Sequence, residues 1–146
     1  MQTKTIIIDG KPQGKARART VTLRNGRVMS FTPKETVEYE NFIRTSYKQQ
    51  QGDYFSENQE IAVQITAYFP IAESWTKKKK NAALAGEIRP TTKPDVDNIC
   101  KSVLDALNYV AFADDKQVVD VIVRKFYSAR PRIELQIREA SSSVEF

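Results

Sequence analysis

The chain has 146 residues, with 23 Lys and Arg against 18 Asp and Glu, a net charge of +5, a single cysteine (Cys100) and no histidine. That length builds one domain with its own core, and the charge favours an anionic partner, nucleic acid foremost. The missing residue types exclude His-dependent triads, zinc sites built on His or several Cys, and any internal disulfide.

Hydrophobic residues make up 40% and charged residues 28%, which is ordinary globular usage, so a folded domain is expected rather than a disordered basic tail. No stretch approaches the roughly 20 apolar residues of a membrane-spanning helix. A soluble, cytoplasmic protein without a membrane partner is the expectation.

Thr5 to Asp9 is a β-branched run closed by Gly10 and reads as a first strand. The next segment, 11–34, carries Lys11, Lys15, Arg17, Arg19, Arg24, Arg27 and Lys34 with no acid. Within it Arg24-Asn25-Gly26 offers hairpin-turn chemistry between Val21-Thr22-Leu23 and Val28-Met29. Thr32-Pro33-Lys34-Glu35 has a capping hydroxyl, a proline suited to the first helical position and a glutamate three residues after the cap, so a helix is expected from there to about Tyr47 or Gln50. Tyr39, Phe42, Ile43 and Tyr47 would form its buried stripe.

Ile61, Val63, Ile65, Ala67 and Phe69 alternate as a half-buried strand requires, and Pro70 ends it. Ser74 can cap a short helix containing Lys77 to Lys80 that stops near Gly86. The prolines of 87–94 forbid its continuation. From Asp97 a helical period returns, with Ile99, Cys100, Val103, Leu104, Ala106, Leu107 and Val110 on one side and Asp97, Asn98, Lys101, Ser102, Asp105 and Asn108 on the other. Gln117 to Tyr127 is β-rich, Ser128 to Pro131 is a turn, and Ile133, Leu135 and Ile137 alternate in a last strand. The order β, basic arm, α, β, α, α, β, β implies an α+β fold, a small mixed sheet covered by helices. A single domain over 1–140 is expected, followed by a frayed tail over 141–146.

Six of the 18 acids (Asp95, Asp97, Asp105, Asp114, Asp115 and Asp120) fall in 95–120 with only Lys101 and Lys116 to oppose them, so this window is −4 and the remaining chain +9. Carboxylates gathered in a basic surface repel one another, and would repel phosphate, unless cations sit among them. Hard oxygen donors select Mg²⁺, or Mn²⁺ in its place, and such an ion supports phosphodiester hydrolysis without histidine. Lys101, one turn after Asp97, is placed to stabilise a pentavalent transition state or a water. Each feature also has a structural reading: Asp97 as a helix cap, Lys101 and Asp105 as an i,i+4 ion pair, Asp114-Asp115 as a turn before a strand. Lys77, Lys78, Lys79 and Lys80 read either as a solvated helix face or as phosphate contacts. Trp75 and Phe112 read as core or as base-stacking rings, and Cys100 as an inert half-core thiol.

The stretch Lys93-Pro94-Asp95-Val96-Asp97-Asn98-Ile99-Cys100-Lys101, followed by Leu104-Asp105-Ala106-Leu107-Asn108 and Asp114-Asp115-Lys116-Gln117-Val118-Val119, resembles the signature of the RusA family of Holliday junction resolvases. Gly14 to Arg19 and Phe31-Thr32-Pro33 are similar to that family as well. The resemblance implies a homodimeric, Mg²⁺-dependent endonuclease acting on branched DNA in recombination and repair, found in bacteria and often encoded by phages or prophages. It implies metal ligands at Asp95, Asp97 and Asp115 and a catalytic lysine at Lys101. Lys15, Arg17, Arg19, Arg24, Arg27, Lys77 to Lys80, Arg89 and Lys93 are the expected DNA contacts. A nuclease for flaps or forks and a non-catalytic DNA-binding phage module are the rival readings.

The return of the chain from Asp97 to Asp115 sets a geometric condition. A helix continuing to Val110 leaves too few residues for Asp115 to come back, whereas one ending near Leu107, with Asn108 left-handed, leaves eight. The early stop is expected; otherwise Asp115 must complete a site on the partner subunit.

Overall fold

A computed structural model describes residues 3–16 and 18–140. Two sheets and three helices follow the expected order. Strand β1 (Thr5–Asp9) leads into the arm, whose β2 (Arg19–Thr22) and β3 (Val28–Phe31) pair as a separate antiparallel hairpin. Helix α1 (Lys34–Gln49), β4 (Ile61–Phe69), α2 (Lys77–Leu84), α3 (Val96–Leu107), β5 (Val118–Tyr127) and β6 (Arg132–Glu139) complete it. The main sheet has the order β1-β6-β4-β5, antiparallel except for the parallel pair β4 and β5. A parallel pair needs a long crossover, and here that crossover carries α2 and α3.

Alternation in β4 buries Ile61, Val63, Ile65, Ala67 and Phe69 on one face, where Ile133 and Leu135 of β6 and Ile6 and Ile8 of β1 join them. Helix α1 covers this face with Tyr39, Ile43 and Tyr47, and α3 with Ile99, Val103, Ala106 and Leu107. The opposite sheet face carries Tyr68 against Phe126, with the guanidiniums of Arg132 and Arg89 over their rings.

Four local expectations shift. Thr32 does not cap α1: Pro33 takes that position, its carbonyl accepting the Thr36 and Val37 amides, because its extended ψ of 144° places it outside the helix. Phe42 is 45% exposed rather than core, because Thr36, Tyr39, Ile43, Ser46 and Tyr47 define a stripe that leaves Phe42 about 90° from its centre. Thr76, not Ser74, caps α2, its hydroxyl accepting the Lys79 amide at 3.2 Å. Ser102 is buried, at 1% exposure, between Ile99 and Ala106 instead of facing solvent.

The arm is clamped where it passes the start of α3. Gly14 lies so close to Pro94 and Asn98 that a Cβ would sit 3.0 Å from each of theirs, and the Ala16 amide donates to the Thr36 hydroxyl. The Lys15 ammonium donates to Asp105 at 2.6 Å and pairs with Glu40 at 3.2 Å, tying the arm to α3 and α1 together. Asp105 therefore pairs with Lys15 and not with Lys101. Burial works against the Lys15 charge, but the bonds to Asp105 and Glu40 outweigh it and hold the ammonium above its ordinary range.

Two outcomes test this packing. Ile65→Ala should destabilise the fold by about 2–5 kcal/mol in urea unfolding, while Phe42→Ala should stay within about 0.5 kcal/mol. Lys15→Met should cost about 1–3 kcal/mol at neutral pH. Since folding raises the Lys15 pKa, that difference should be intact below the ordinary lysine range and shrink as pH rises through it, as urea titrations at stepped pH would show.

Candidate active site and nucleic-acid groove

Helix α3 presents its carboxylates because its core face is already committed. Ile99, Ser102, Val103, Ala106 and Leu107 point inward, so Asp97, Lys101 and Asp105, spaced four apart, stand along the outer side. Asp95 occupies the N-cap of α3, yet its side chain makes no capping hydrogen bond. Asp97 sits in the first turn, where a negative charge meets the helix dipole favourably. Lys101 is exposed.

The helix stops at Leu107, as the return of the chain requires. Val110 and Ala111 both donate to the Leu107 carbonyl, and the fully buried Phe112 pins the turn to the core. The left-handed residue is Tyr109, with φ 68°, while Asn108 is extended with φ −56° and ψ 131°. The Asn108 position expected to be left-handed is thus displaced by one residue.

Beyond the turn, Asp114 and Gln117 form a reciprocal capping box around a single 3₁₀ turn, Asp115–Gln117. Asp114 accepts the Lys116 amide at 2.8 Å. The buried Gln117 amide accepts from Ala113 and Asp114 and donates to the carbonyls of Ser56 and Gln59. The Asp115 amide crosses to α3, donating to Asn108 Oδ1 at 2.9 Å.

The two neighbouring carboxyls of this turn diverge. The hydrogen bond from the Lys116 amide holds Asp114 below the usual carboxylate range. Asp115 is pushed up, first by burial and then by the adjacent Asp114 and the charge of Asp105. Half-buried Cys100 is raised by burial and by the combined field of Asp97, Asp115 and Asp105, so these three carboxylates converge on its surroundings. Asp95 shares its field with Lys125 instead. The Lys125 ammonium lies over the Phe69 ring and donates to the Thr92 carbonyl at 2.7 Å; burial lowers its pKa while Asp95 opposes the shift.

Asp115 is thereby tethered near the C-terminal end of α3, whereas Asp95 and Asp97 mark its N-terminal end. Asp97 and Asn108 are separated by about 16 Å of helical rise. Among the described residues no group of three His, Cys, Asp or Glu side chains is drawn together closely enough to hold a metal ion. The donors do fit a hard divalent cation in kind: they are carboxylates, and Asp115 is raised by like charges while the Lys116 charge in the same turn acts on Asp114.

A cleft of about 600 Å³ adjoins the start of α3 and is lined by Lys11, Lys15 and Lys93 beside Gly14, Pro94 and Asn98. Of the expected DNA contacts, Lys93 lines this cleft, and Lys15 is engaged by Asp105 and Glu40. Arg19, Arg24 and Arg27 stand on the exposed hairpin beside exposed Val21, Val28, Met29 and Phe31. Arg17 falls outside the described residues. Lys77 to Lys80 open α2, where Lys79 lies over Trp75, itself edge-on to Tyr127. Arg89 is fixed on β5 by a 2.9 Å bond from Nε to the Lys125 carbonyl.

Sequence reading missed Gln117, Lys125 and Lys11. Asp114-x-x-Gln117 is a legible capping box, and a lysine at 125, in phase with Val121, Val123 and Tyr127, breaks an otherwise apolar alternation.

Comparison with known proteins agrees with this arrangement. The chain is 39% identical over 135 residues to the uncharacterized protein YqaN of Bacillus subtilis (strain 168), covering 91% of this chain and 94% of the relative. The family model described as Endodeoxyribonuclease RusA matches residues 9–138, a span holding both carboxylate-bearing turns and the basic cleft. By that match the chain belongs to the RusA endodeoxyribonuclease family.

Proposed function

We propose that the protein is a homodimeric, Mg²⁺-dependent endonuclease that resolves four-way DNA junctions by paired, symmetric nicks during recombination and repair. The supporting observation is a set of acids that the fold does not use as hydrogen-bond acceptors. Among the described residues the carboxylates of Asp95, at the N-cap of α3, and Asp97, in its first turn, accept no hydrogen bond, and Asp115 stays apart from the capping duty that Asp114 performs.

Asp95, Asp97 and Asp115 are the proposed ligands of Mg²⁺, with Mn²⁺ able to replace it. Such an ion supplies charge stabilisation for the phosphoryl oxygens and lowers the pKa of a bound water. Lys101, one turn beyond Asp97 on the same outer side, would place its ammonium where charge develops on the phosphate. Lys11 and Lys93 would receive the backbone in the cleft, and Arg19, Arg24, Arg27 and Lys77 to Lys80 would extend the track by counterion release. Lys15 is left out of this track because Asp105 and Glu40 already neutralise it.

The stop of α3 at Leu107 returns Asp115 toward the helix, and the charges of Asp97 and Asp115 both act on Cys100, which favours one site within each chain of a twofold dimer. Two such sites match a substrate with two equivalent strands to cut.

Purified protein on a synthetic four-way junction with Mg²⁺ should give paired nicks that vanish with EDTA and fall by at least about 10³-fold in Asp97→Asn. Equal cutting of flaps or plain duplex would overturn the junction assignment, and full activity in Asp97→Asn would overturn the chemistry. Mixing inactive Asp97→Asn with inactive Asp115→Asn and allowing subunit exchange should leave nicking silent, since neither chain of a mixed dimer then holds an intact site. Restored nicking would overturn the single-chain site in favour of one shared between the two copies.

A further inference from the structure

The side chain of Asn108 has no assigned role. Asparagine at a helix end is ordinarily there to adopt the left-handed conformation, but Asn108 is extended and Tyr109 takes the positive φ of 68° in its place. Its conformation therefore gives no reason for an amide at this position. Its hydrogen bond does.

Within the segment 113–117, the amides of Ala113, Asp114, Lys116 and Gln117 are satisfied from inside the segment, by Gln117 and Asp114. The Asp115 amide instead reaches Asn108 Oδ1 at the end of α3. Gln117 fastens the same turn to the carbonyls of Ser56 and Gln59, on the lead into β4. Two side chains thus locate the turn: Gln117 against the sheet, and Asn108 against the helix that carries Asp97 and Lys101.

Their consequences for folding differ. The turn 108–112 is closed without the Asn108 amide, by backbone bonds from Val110 and Ala111 to Leu107 and from Tyr109 to Phe112, over the fully buried Ala111 and Phe112. The Asn108 bond is partly buried and holds one amide, that of the residue read as a metal ligand.

We propose that Asn108 is a positioning residue for metal binding: by accepting the Asp115 amide it sets the place and direction of that carboxylate relative to α3. The inference rests on the reading of Asp115 as a ligand. A group that orients a ligand without touching the ion typically influences metal affinity or activity by about 10–100-fold.

The test compares Asn108→Ala, which removes the acceptor, with Asn108→Asp, which retains an oxygen in its place, and uses Asp115→Asn as the control. Mn²⁺ binding is read directly by electron paramagnetic resonance, junction binding by gel shift in EDTA, and folding by thermal melting. Asn108→Ala is expected to keep its melting transition and metal-free junction binding, to weaken Mn²⁺ binding about 10–100-fold, and to need correspondingly more Mg²⁺ for half-maximal nicking. Asn108→Asp should recover most of both.

Unchanged Mn²⁺ affinity in Asn108→Ala beside an inactive Asp115→Asn would overturn the role of Asn108 and leave the ligand assignment standing. Asn108→Asp as impaired as Asn108→Ala would overturn it too, because the acceptor would not be what matters. Full Mn²⁺ binding in Asp115→Asn would instead remove the reading on which the inference rests.

Discussion

Parallel pairing of β4 with β5 is the constraint from which the site follows. Two parallel neighbours cannot be joined by a tight turn, so the chain must leave the end of β4 at Phe69 and travel back to enter β5 at Val118 beside Ile61. Helix α3 is the returning leg. It therefore begins near the ends of β4 and β5, where Lys125 meets the Asp95 segment, and finishes near their starts, where Asp115 precedes β5. The core packing of Ile99, Val103, Ala106 and Leu107 fixes this leg against the sheet, with Asp97 on its outer side and Asp115 tied to Asn108 at its close.

Charge is arranged around this leg by the same economy. The window 95–120 is −4 in a chain that is otherwise +9, and the fold neutralises only part of it. Lys15 reaches in from the arm to take Asp105, bringing Glu40 with it, and Gly14 has no side chain because Pro94 and Asn98 leave no room for one. That clamp draws the basic arm across the start of α3 and shapes the cleft of Lys11 and Lys93. A strip of carboxylates and a lysine-lined groove thus share a wall, in which Lys15 and Asp105 are paired with each other.

Much of this was legible along the chain because local periodicity and global burial agree. The alternation of Ile61 to Phe69, the hairpin at Asn25-Gly26 and the apolar side of α3 each state one face, and each face is used. Reading failed where two residues of similar kind compete for a single role. Phe42 and Ile43 are adjacent and both apolar, and only the direction of approach of the sheet decides between them. Thr32 with Pro33 and Ser74 with Thr76 are likewise settled by which backbone turns first. The candidate residues Asp95, Asp97, Lys101 and Asp115 stood out by charge and motif, but the tether of Asp115 to Asn108 did not, because a count of eight linking residues bounds how far Asp115 can return and says nothing of where it is tied.

Hydrogen bonding supplies what the count lacked. At 114–115 the chain places two acids side by side, and chemistry alone does not tell them apart. The fold does: Asp114 is used as a cap and its carboxyl is held low by the Lys116 amide, whereas Asp115 is half-buried and held high, first by burial and then by Asp114 and the charge of Asp105. A carboxylate held high in this way is a small cost to folding, set against the stability of the packed core around it. At the other end of α3, Asp95 holds the capping position without making a capping bond. One pair of adjacent acids is thus divided by the backbone around it into a structural cap and a carboxyl that the turn leaves outside its own hydrogen bonding.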